Sequence, residues 1–403
     1  MYSCDSPARQ RFHGQPVRPG GVNAEERGDR YLGCPLVSDS PHKAAPVRRL
    51  VELGRIPTLR VTTVTRIDRT GIVAIARNEG ERLRACLESA LRQAKRVVYV
   101  DSGSTDGSVA LAEGLGVHVV ELDGTIPFTA ARARNAGFAA LVALDPDLEW
   151  VQFVDGDCEI EPGWIERAGE LLRSDPSVVV VCGRRAERAP RSSRYNLLCD
   201  MEWDTPIGET EECGGDALMR VKAVQDVGGY RDDLIAGEEP DLCRRLRSRG
   251  GRIQRIDAPM TRHDARMDSF RQWWLRSVRA GHAYAEGAAL QGGIWSRTEV
   301  RSATVWGILL PASIFVAALA DSVLIVTLLA LLFPLQITRV ALRRPKPNFS
   351  AQDNWLYALS CVGGKLPNAF GQLRYWVGWA TGRRSALIEY KGSETSDVPT
   401  GSN

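Results

Sequence analysis

The 403-residue chain has no C-x-x-C pair among its 9 cysteines, and their number is odd. That argues against a disulfide framework and for reduced thiols in a cytosolic compartment. Net charge is only +3, so bulk electrostatics give no case for a nucleic-acid partner. No G-K-[ST] occurs, which excludes a Walker-type phosphate loop, and no G-x-G-x-x-G follows the first apolar run, which argues against a dinucleotide cofactor. The 5 histidines are unclustered. Residues Met1 to about Arg66 lack the apolar core of a secretory signal and any sustained apolar period. Their Arg, Gly, Pro and Ser predict a disordered region over 1–66.

Order is expected from Gly71. Gly71–Ala76 reads as a buried parallel strand and Glu81–Ala94 as a helix, with Leu83, Leu87, Ala90 and Leu91 at helical spacing. Arg96–Val100 reads as a second strand, Ser108–Leu115 as a helix and Val117–Leu122 as a third strand. A helix over 130–144, a strand over 150–154, a helix from Pro162 to Arg173 and a strand over 178–182 follow. This alternation predicts an α/β fold with a doubly wound sheet and right-handed crossovers. Cys86, Cys158, Cys182 and Cys243 fall within these elements or at their ends and are expected to pack as small hydrophobes.

Three of these strands end in polar clusters: Arg77/Glu79, Asp101/Asp106 and Asp155/Asp157. Ligands of open α/β sheets bind beyond the carboxyl ends of strands. Asp155-Gly156-Asp157 sets two carboxylates across one glycine, and like charges this close raise each other's pKa. A divalent cation relieves that, and oxygen donors suit Mg²⁺ or Mn²⁺. An ordinary acidic turn is the alternative, as a turn with a helix cap is for Asp101–Ser108.

Taken together, Ala76-Arg77-Asn78-Glu79, Asp101-Ser102-Gly103-Ser104-Thr105-Asp106-Gly107-Ser108, Ala133-Arg134-Asn135-Ala136-Gly137 and Asp155-Gly156-Asp157 resemble the family 2 glycosyltransferases of GT-A fold, from about Gly71 to Tyr284. The resemblance implies a nucleotide diphosphate-sugar donor held by Ala76, Arg77, Glu79, Asp101, Arg134 and Asp155. Asp157 would bind a Mg²⁺ or Mn²⁺ ion that acts as a Lewis acid on the leaving diphosphate. A late histidine completes the metal site in several GT-A enzymes, and His263 stands at that position.

In Glu238-Glu239-Pro240-Asp241-Leu242, Glu239 occupies the family's general-base position, with Glu where Asp is common. An inverting displacement needs the acceptor hydroxyl to lose a proton as it attacks. Glu238 and Asp241 remain alternatives, because acids also favour a helix N-terminus. Asp216 and Glu238 are expected as acceptor-side contacts. Trp273, in an aromatic helix from Phe270 to about Leu290, is expected to line an acceptor cleft, to lie at a membrane surface or to pack on the catalytic domain.

Between Arg301 and Arg339 the only charged residue is Asp321. A span needs about 20 apolar residues, so this stretch suits one long helix or two short ones meeting near Asp321-Ser322. Arg297, Arg301, Arg339, Arg343, Arg344 and Lys346 flank it, and positive-inside logic favours a hairpin with both ends in the cytoplasm. Trp355–Trp379 reads as interfacial, or as a weak third membrane helix. The predicted layout is a GT-A domain over 67–290, a transmembrane hairpin over 291–345, and an interfacial helix with a disordered tail over 346–403. The function implied is transfer of one sugar to a lipid-linked or envelope-polysaccharide acceptor at the cytoplasmic membrane face. A nucleotidyltransferase and a non-catalytic membrane scaffold are the competing readings.

Overall fold

The first apolar run does become a strand, β1 (Thr70–Ala76), paired in parallel with the strands at 96–101 and 150–155. A computed structural model describes residues 69–382, apart from 235, 290–296 and 344. The disorder expected for 1–66 and for the tail beyond 382 falls outside the described residues.

The next elements in order are α1 (Glu81–Leu91), β2 (Arg96–Asp101), α2 (Ser108–Gly114), β3 (His118–Glu121), α3 (Ala130–Leu144) and β4 (Trp150–Asp155). After these come β5 (Cys158–Ile160), α4 (Trp164–Ser174), β6 (Val178–Glu187), α5 (Arg194–Trp203), β7 (Gly208–Glu209), β8 (Ala217–Arg220), α6 (Val221–Asp226), α7 (Glu238–Ser248) and β9 (Arg252–His263). The described residues build a nine-stranded sheet of order β3-β2-β1-β4-β8-β6-β9-β5, with β7 on β9. The run β3-β2-β1-β4 is parallel throughout. Register pairs Ala76 with Asp101 and Ile75 with Asp155, so three strand ends stop on nearly one line. The expected convergence of their polar clusters follows from that alignment.

Two features of the sheet escape the sequence pattern. Ala217–Arg220 forms β8, which is antiparallel to both β4 and β6. Four residues are too few to display a period of two, and β8 passes straight into α6. β6 also runs on to Glu187, with register shifts at Cys182/Arg184 and Arg184/Arg185 against β9. Such bulges re-aim side chains. The four cysteines expected to pack as hydrophobes are free and buried, as are Cys199 and Cys213.

Glycines mark where backbone meets neighbour. A Cβ on Gly156 would lie 2.4 Å from the Ala76 Cβ and 3.3 Å from the Ile75 carbonyl. Only glycine lets the turn after β4 close against β1, where its N–H donates to that carbonyl at 2.9 Å.

Beyond the sheet lie α8 (Phe270–Ala289), α9 (Arg297–Thr304), a π-turn at Val305–Leu309, α10 (Leu310–Leu319), α11 (Val323–Ala330), α12 (Leu332–Arg343), α13 (Ala351–Gly363) and α14 (Lys365–Ala380). Arg297–Leu319 and Val323–Arg343 are each long and apolar enough to cross a membrane. They meet at a turn in which Asp321 has φ +53°. α14 lies with its backbone against α8: a Cβ on Gly281 would sit 2.0 Å from the Asn368 carbonyl oxygen, and one on Gly371 2.0 Å from that of Val278. Gly371→Ala should therefore lower the thermal midpoint in detergent, by an overpacking cost of about 1–3 kcal/mol. An unchanged midpoint would contradict this packing.

Candidate active site

The loops after β1 and β2 are laced together. Asn78 adopts φ +56°. Its N–H donates to Ser104 Oγ at 2.9 Å, and its Oδ1 accepts from the Thr105 N–H at 2.7 Å. The Gly80 N–H donates to Asp106 Oδ2 at 3.0 Å. Asp101 is buried and holds its own turn, accepting from the N–H groups of Gly103 and Ser104 at 2.8 and 2.7 Å and from the Tyr99 hydroxyl. Burial, reinforced by the Asp101 carboxylate, pushes the Tyr99 phenol well up. Glu79 pairs with Arg82 at 2.6 Å. Arg77 is exposed and lies over the Phe128 ring, 5.6 Å from its centroid.

The centre of the site is Arg134, on the buried face of α3. Its Nη2 donates to Asp155 Oδ1 and its Nη1 to Glu238 Oε1, both at 2.7 Å. The Tyr230 ring lies beneath the guanidinium, 5.5 Å away. Burial works against ionisation of Asp155, but Arg134 and then Arg185 outweigh it and hold its carboxyl below the usual range. Asp155 keeps 30% of its side-chain surface exposed, so it faces the crevice. Gly215 fits close over this group: a Cβ there would meet Arg134 Nη2 at 2.9 Å and Asp155 Oδ2 at 3.0 Å.

Asp157 and His263 meet across the sheet. β5 pairs antiparallel with β9, Cys158 opposite His263, which brings His263 Nε2 to 3.2 Å from Asp157 Oδ2. Both side chains are buried. His263 Nδ1 has no hydrogen-bond partner among the described residues, and the imidazole stacks on Trp203 with centroids 4.6 Å apart. Burial first, then the negative field of Asp216 and Asp157, pushes the adjacent Cys158 thiol up. A buried carboxylate and an imidazole nitrogen in a negative field are a donor set that a divalent cation fits.

Glu239, in the first turn of α7, is buried beside the Glu238 that Arg134 holds. Its Oε1 accepts from the Cys213 N–H at 2.6 Å and from the Cys243 thiol at 2.9 Å. Asp241 is fully buried and bound to Arg244 and Arg245, so it braces α7.

Asp216 does not fit the acceptor-side contact expected of it, whereas Trp273 takes the packing place that was one of its three expected ones. Asp216 is fully buried, with Oδ1 accepting from the Asp155 N–H and Oδ2 held by Thr261 Oγ1 at 2.7 Å and Arg185 Nη2 at 2.9 Å. It supports Asp155 and Arg185 from below and has no surface to offer an acceptor. Trp273 is half-buried among Leu197, Met201 and Tyr357, and its indole N–H donates to Ser360 Oγ at 3.1 Å. It joins the catalytic domain to α13.

Sequence reasoning missed Arg185 and Trp203. Arg185 lies over the Trp203 ring at 5.5 Å and is paired with Asp216. It sits past the expected end of its strand, and the bulge that aims it leaves no mark in the sequence.

A mixed α/β sheet with acids and an arginine gathered at parallel strand ends defines a GT-A fold. Residues 71–228 match the family model for glycosyl transferase family 2, and over that stretch the chain is similar to glycosyltransferases of the family. A Pre-mycofactocin glycosyltransferase of Mycobacterium tuberculosis is 28% identical over 231 residues, 53% of this chain and 46% of that protein. The succinoglycan biosynthesis protein ExoA of Rhizobium meliloti is 28% identical over 203 residues, 46% of this chain and 60% of that one. The chain thus spans about half the length of the first of these relatives. Among solved structures, a mannosyltransferase from Pyrobaculum calidifontis, in complex with GDP-Man and Mn²⁺, is 19% identical with a TM-score of 0.51, covering 76% of this chain and 87% of that one. That likeness concerns the fold.

Arg134→Met keeps the side chain's bulk and leaves Asp155 and Glu238 facing each other without their shared cation. The expected loss is about 3 kcal/mol, the low end for a broken buried pair because Asp155 is partly in water. A thermal midpoint equal to wild type would contradict that pairing.

Proposed function

We propose that the chain is a metal-dependent, inverting glycosyltransferase that moves one sugar from a nucleotide diphosphate-sugar to a lipid-linked or envelope-polysaccharide acceptor at the cytoplasmic membrane face. The observation that carries this reading is the meeting of Asp157 and His263 beside the Arg134–Asp155–Glu238 group. Asp157 and His263 would hold a Mg²⁺ or Mn²⁺ ion, which supplies Lewis-acid stabilisation to a departing diphosphate. Arg134, fixed by two carboxylates, presents positive charge and a flat donor array where a pyrophosphate or ribose would lie. The lip formed by Ala76, Arg77 and Glu79 with Asp101 would frame the nucleoside. Glu239, with Oε1 anchored, would take the proton of the attacking hydroxyl through Oε2. Glu238, already engaged by Arg134, would position rather than abstract.

The membrane part of the reading rests on surfaces. In both apolar helices, large side chains such as Phe315, Val316, Leu319, Val323, Leu324 and Leu328 are exposed. α14 turns its polar residues Lys365, Asn368 and Gln372 inward and leaves Leu366, Phe370, Leu373 and Trp379 outside. That is the reverse of a helix packed in water. We read Arg297–Arg343 as a transmembrane hairpin and α13–α14 as seated in the interface, with the GT-A domain ahead of them in the cytoplasm.

The test is hydrolysis of UDP-glucose, UDP-galactose, GDP-mannose and dTDP-rhamnose by the purified chain with Mn²⁺ or Mg²⁺. One donor should turn over. Chelation should stop the reaction and added Mn²⁺ or Mg²⁺ restore it. Asp157→Asn should remove turnover with the fold intact by circular dichroism; wild-type rates in that variant would refute the metal assignment. Glu239→Gln should keep donor binding and lose transfer, whereas lost donor affinity would move Glu239 out of the base role.

A further inference from the structure

Glu has one more rotatable bond than Asp, so a glutamate base needs more restraint to hold a reactive geometry. Glu239 obtains it at a single oxygen. Oε1 accepts from the Cys213 N–H and from Cys243 Sγ, one helical turn along α7, while Oε2 accepts no hydrogen bond among the described residues. We propose that Cys243 is a positioning residue for the reaction, its thiol donating to Oε1 so that the Glu239 carboxylate is held in one orientation and Oε2 is free to take the proton. This rests on the reading of Glu239 as base given above.

The thiol is a donor at working pH. Burial pushes Cys243 up to about 12, with the Glu239 charge adding to the effect against the Cys213 contact, so it carries its proton wherever Glu239 has lost its own. Cys213 Sγ lies 3.5 Å from Cys243 Sγ and 3.4 Å from the Gly214 carbonyl oxygen. It closes the pocket and leaves the S–H of Cys243 to Glu239. The titratable groups facing Glu239 are Glu212 and Cys213 from the segment before β8, Cys182 from β6, Tyr230 from the turn after α6, and Cys243 from its own helix. Two arginines belong to the same cluster: Arg134, bound to the adjacent Glu238, and Arg255, whose Nη2 donates to the Glu212 carbonyl oxygen at 3.2 Å. The Cys213 amide and the Cys243 thiol both donate to the same oxygen, Glu239 Oε1. Leu242 and Leu246, the core-facing neighbours of Cys243, are fully or almost fully buried, and an aliphatic side chain would satisfy packing at 243. Only a donor satisfies the carboxylate.

The experiment compares Cys243→Ala, Cys243→Val and Cys243→Ser with wild type, reading kcat and KM against pH for the nucleotide-sugar of the panel that is hydrolysed fastest. Losing one modest hydrogen bond to the ionised base should lower kcat about threefold to tenfold. It should also move the acid limb of kcat upward by about half to one pH unit, with the donor KM unchanged. Cys243→Ser supplies a hydroxyl donor and should return both kcat and the limb toward wild type. Valine matches the volume without a donor, so it carries the comparison if the alanine variant does not fold. An acid limb that stays in place in Ala and Val, or a Ser variant no better than Val, overturns the assignment and makes Cys243 a packing residue. Glu239→Gln separates the two readings. If it still transfers, the base reading itself has failed; if it is dead while the 243 variants keep the wild-type limb, only the role of Cys243 has failed.

Discussion

One buried guanidinium holds the candidate site together. Arg134 comes from α3, Asp155 from the end of β4 and Glu238 from the start of α7, and each bond is 2.7 Å long. A cation this deeply buried is tolerable only between two anions, and two anions this close are tolerable only around a cation. The arrangement therefore fixes α3, the acidic turn after β4 and the start of α7 relative to one another. Asp216 repeats the device one layer below, fully buried, binding Arg185 while accepting from the Asp155 N–H.

Backbone economy around that pair supplies the room. Gly156 brings the acidic turn against β1, and Gly215 lies where a side chain would crowd Arg134 and Asp155. The bulges of β6 turn Arg185 toward Asp216 and Trp203. On the far side, Trp203 stacks on His263, so the residue facing Asp157 is held by the same group of side chains as the arginines. Pre-organisation of this kind is what electrostatic stabilisation of a leaving group requires, since no reorganisation is left for the moment of reaction.

Much of this was legible in the sequence because it sits on local signals. The parallel strands β1, β2 and β4 are apolar runs cut off by polar turns, and α3 falls on its expected range, Ala130–Leu144. Asp321, the one charge in a long apolar stretch, marked where two helices could meet but left one long helix equally open. What stayed hidden depends on contacts between distant segments. β8 is too short to show alternation, and its place between β4 and β6 is decided by pairing alone. Asp216 reads as an acceptor-side contact until β6 and β9 bring Arg185 and Thr261 onto it. Trp273 could line a cleft, meet a membrane surface or pack on the catalytic domain, and only Ser360, far along the chain, accepting its N–H decides for packing. Cys243 looked like a core thiol, and the role of its S–H is set by a glutamate one turn away meeting the Cys213 amide from another segment.

The central claim is that separate acids and one arginine serve a single metal-held diphosphate. Calorimetric titration of the full-length chain with UDP and GDP, with and without Mn²⁺, tests it most directly, in wild type and in Asp157→Asn. The account predicts that one nucleoside diphosphate binds tightly only with Mn²⁺ present, and that the variant loses this metal-dependent gain. Equal affinity with and without the metal, or a gain that survives in Asp157→Asn, would contradict it.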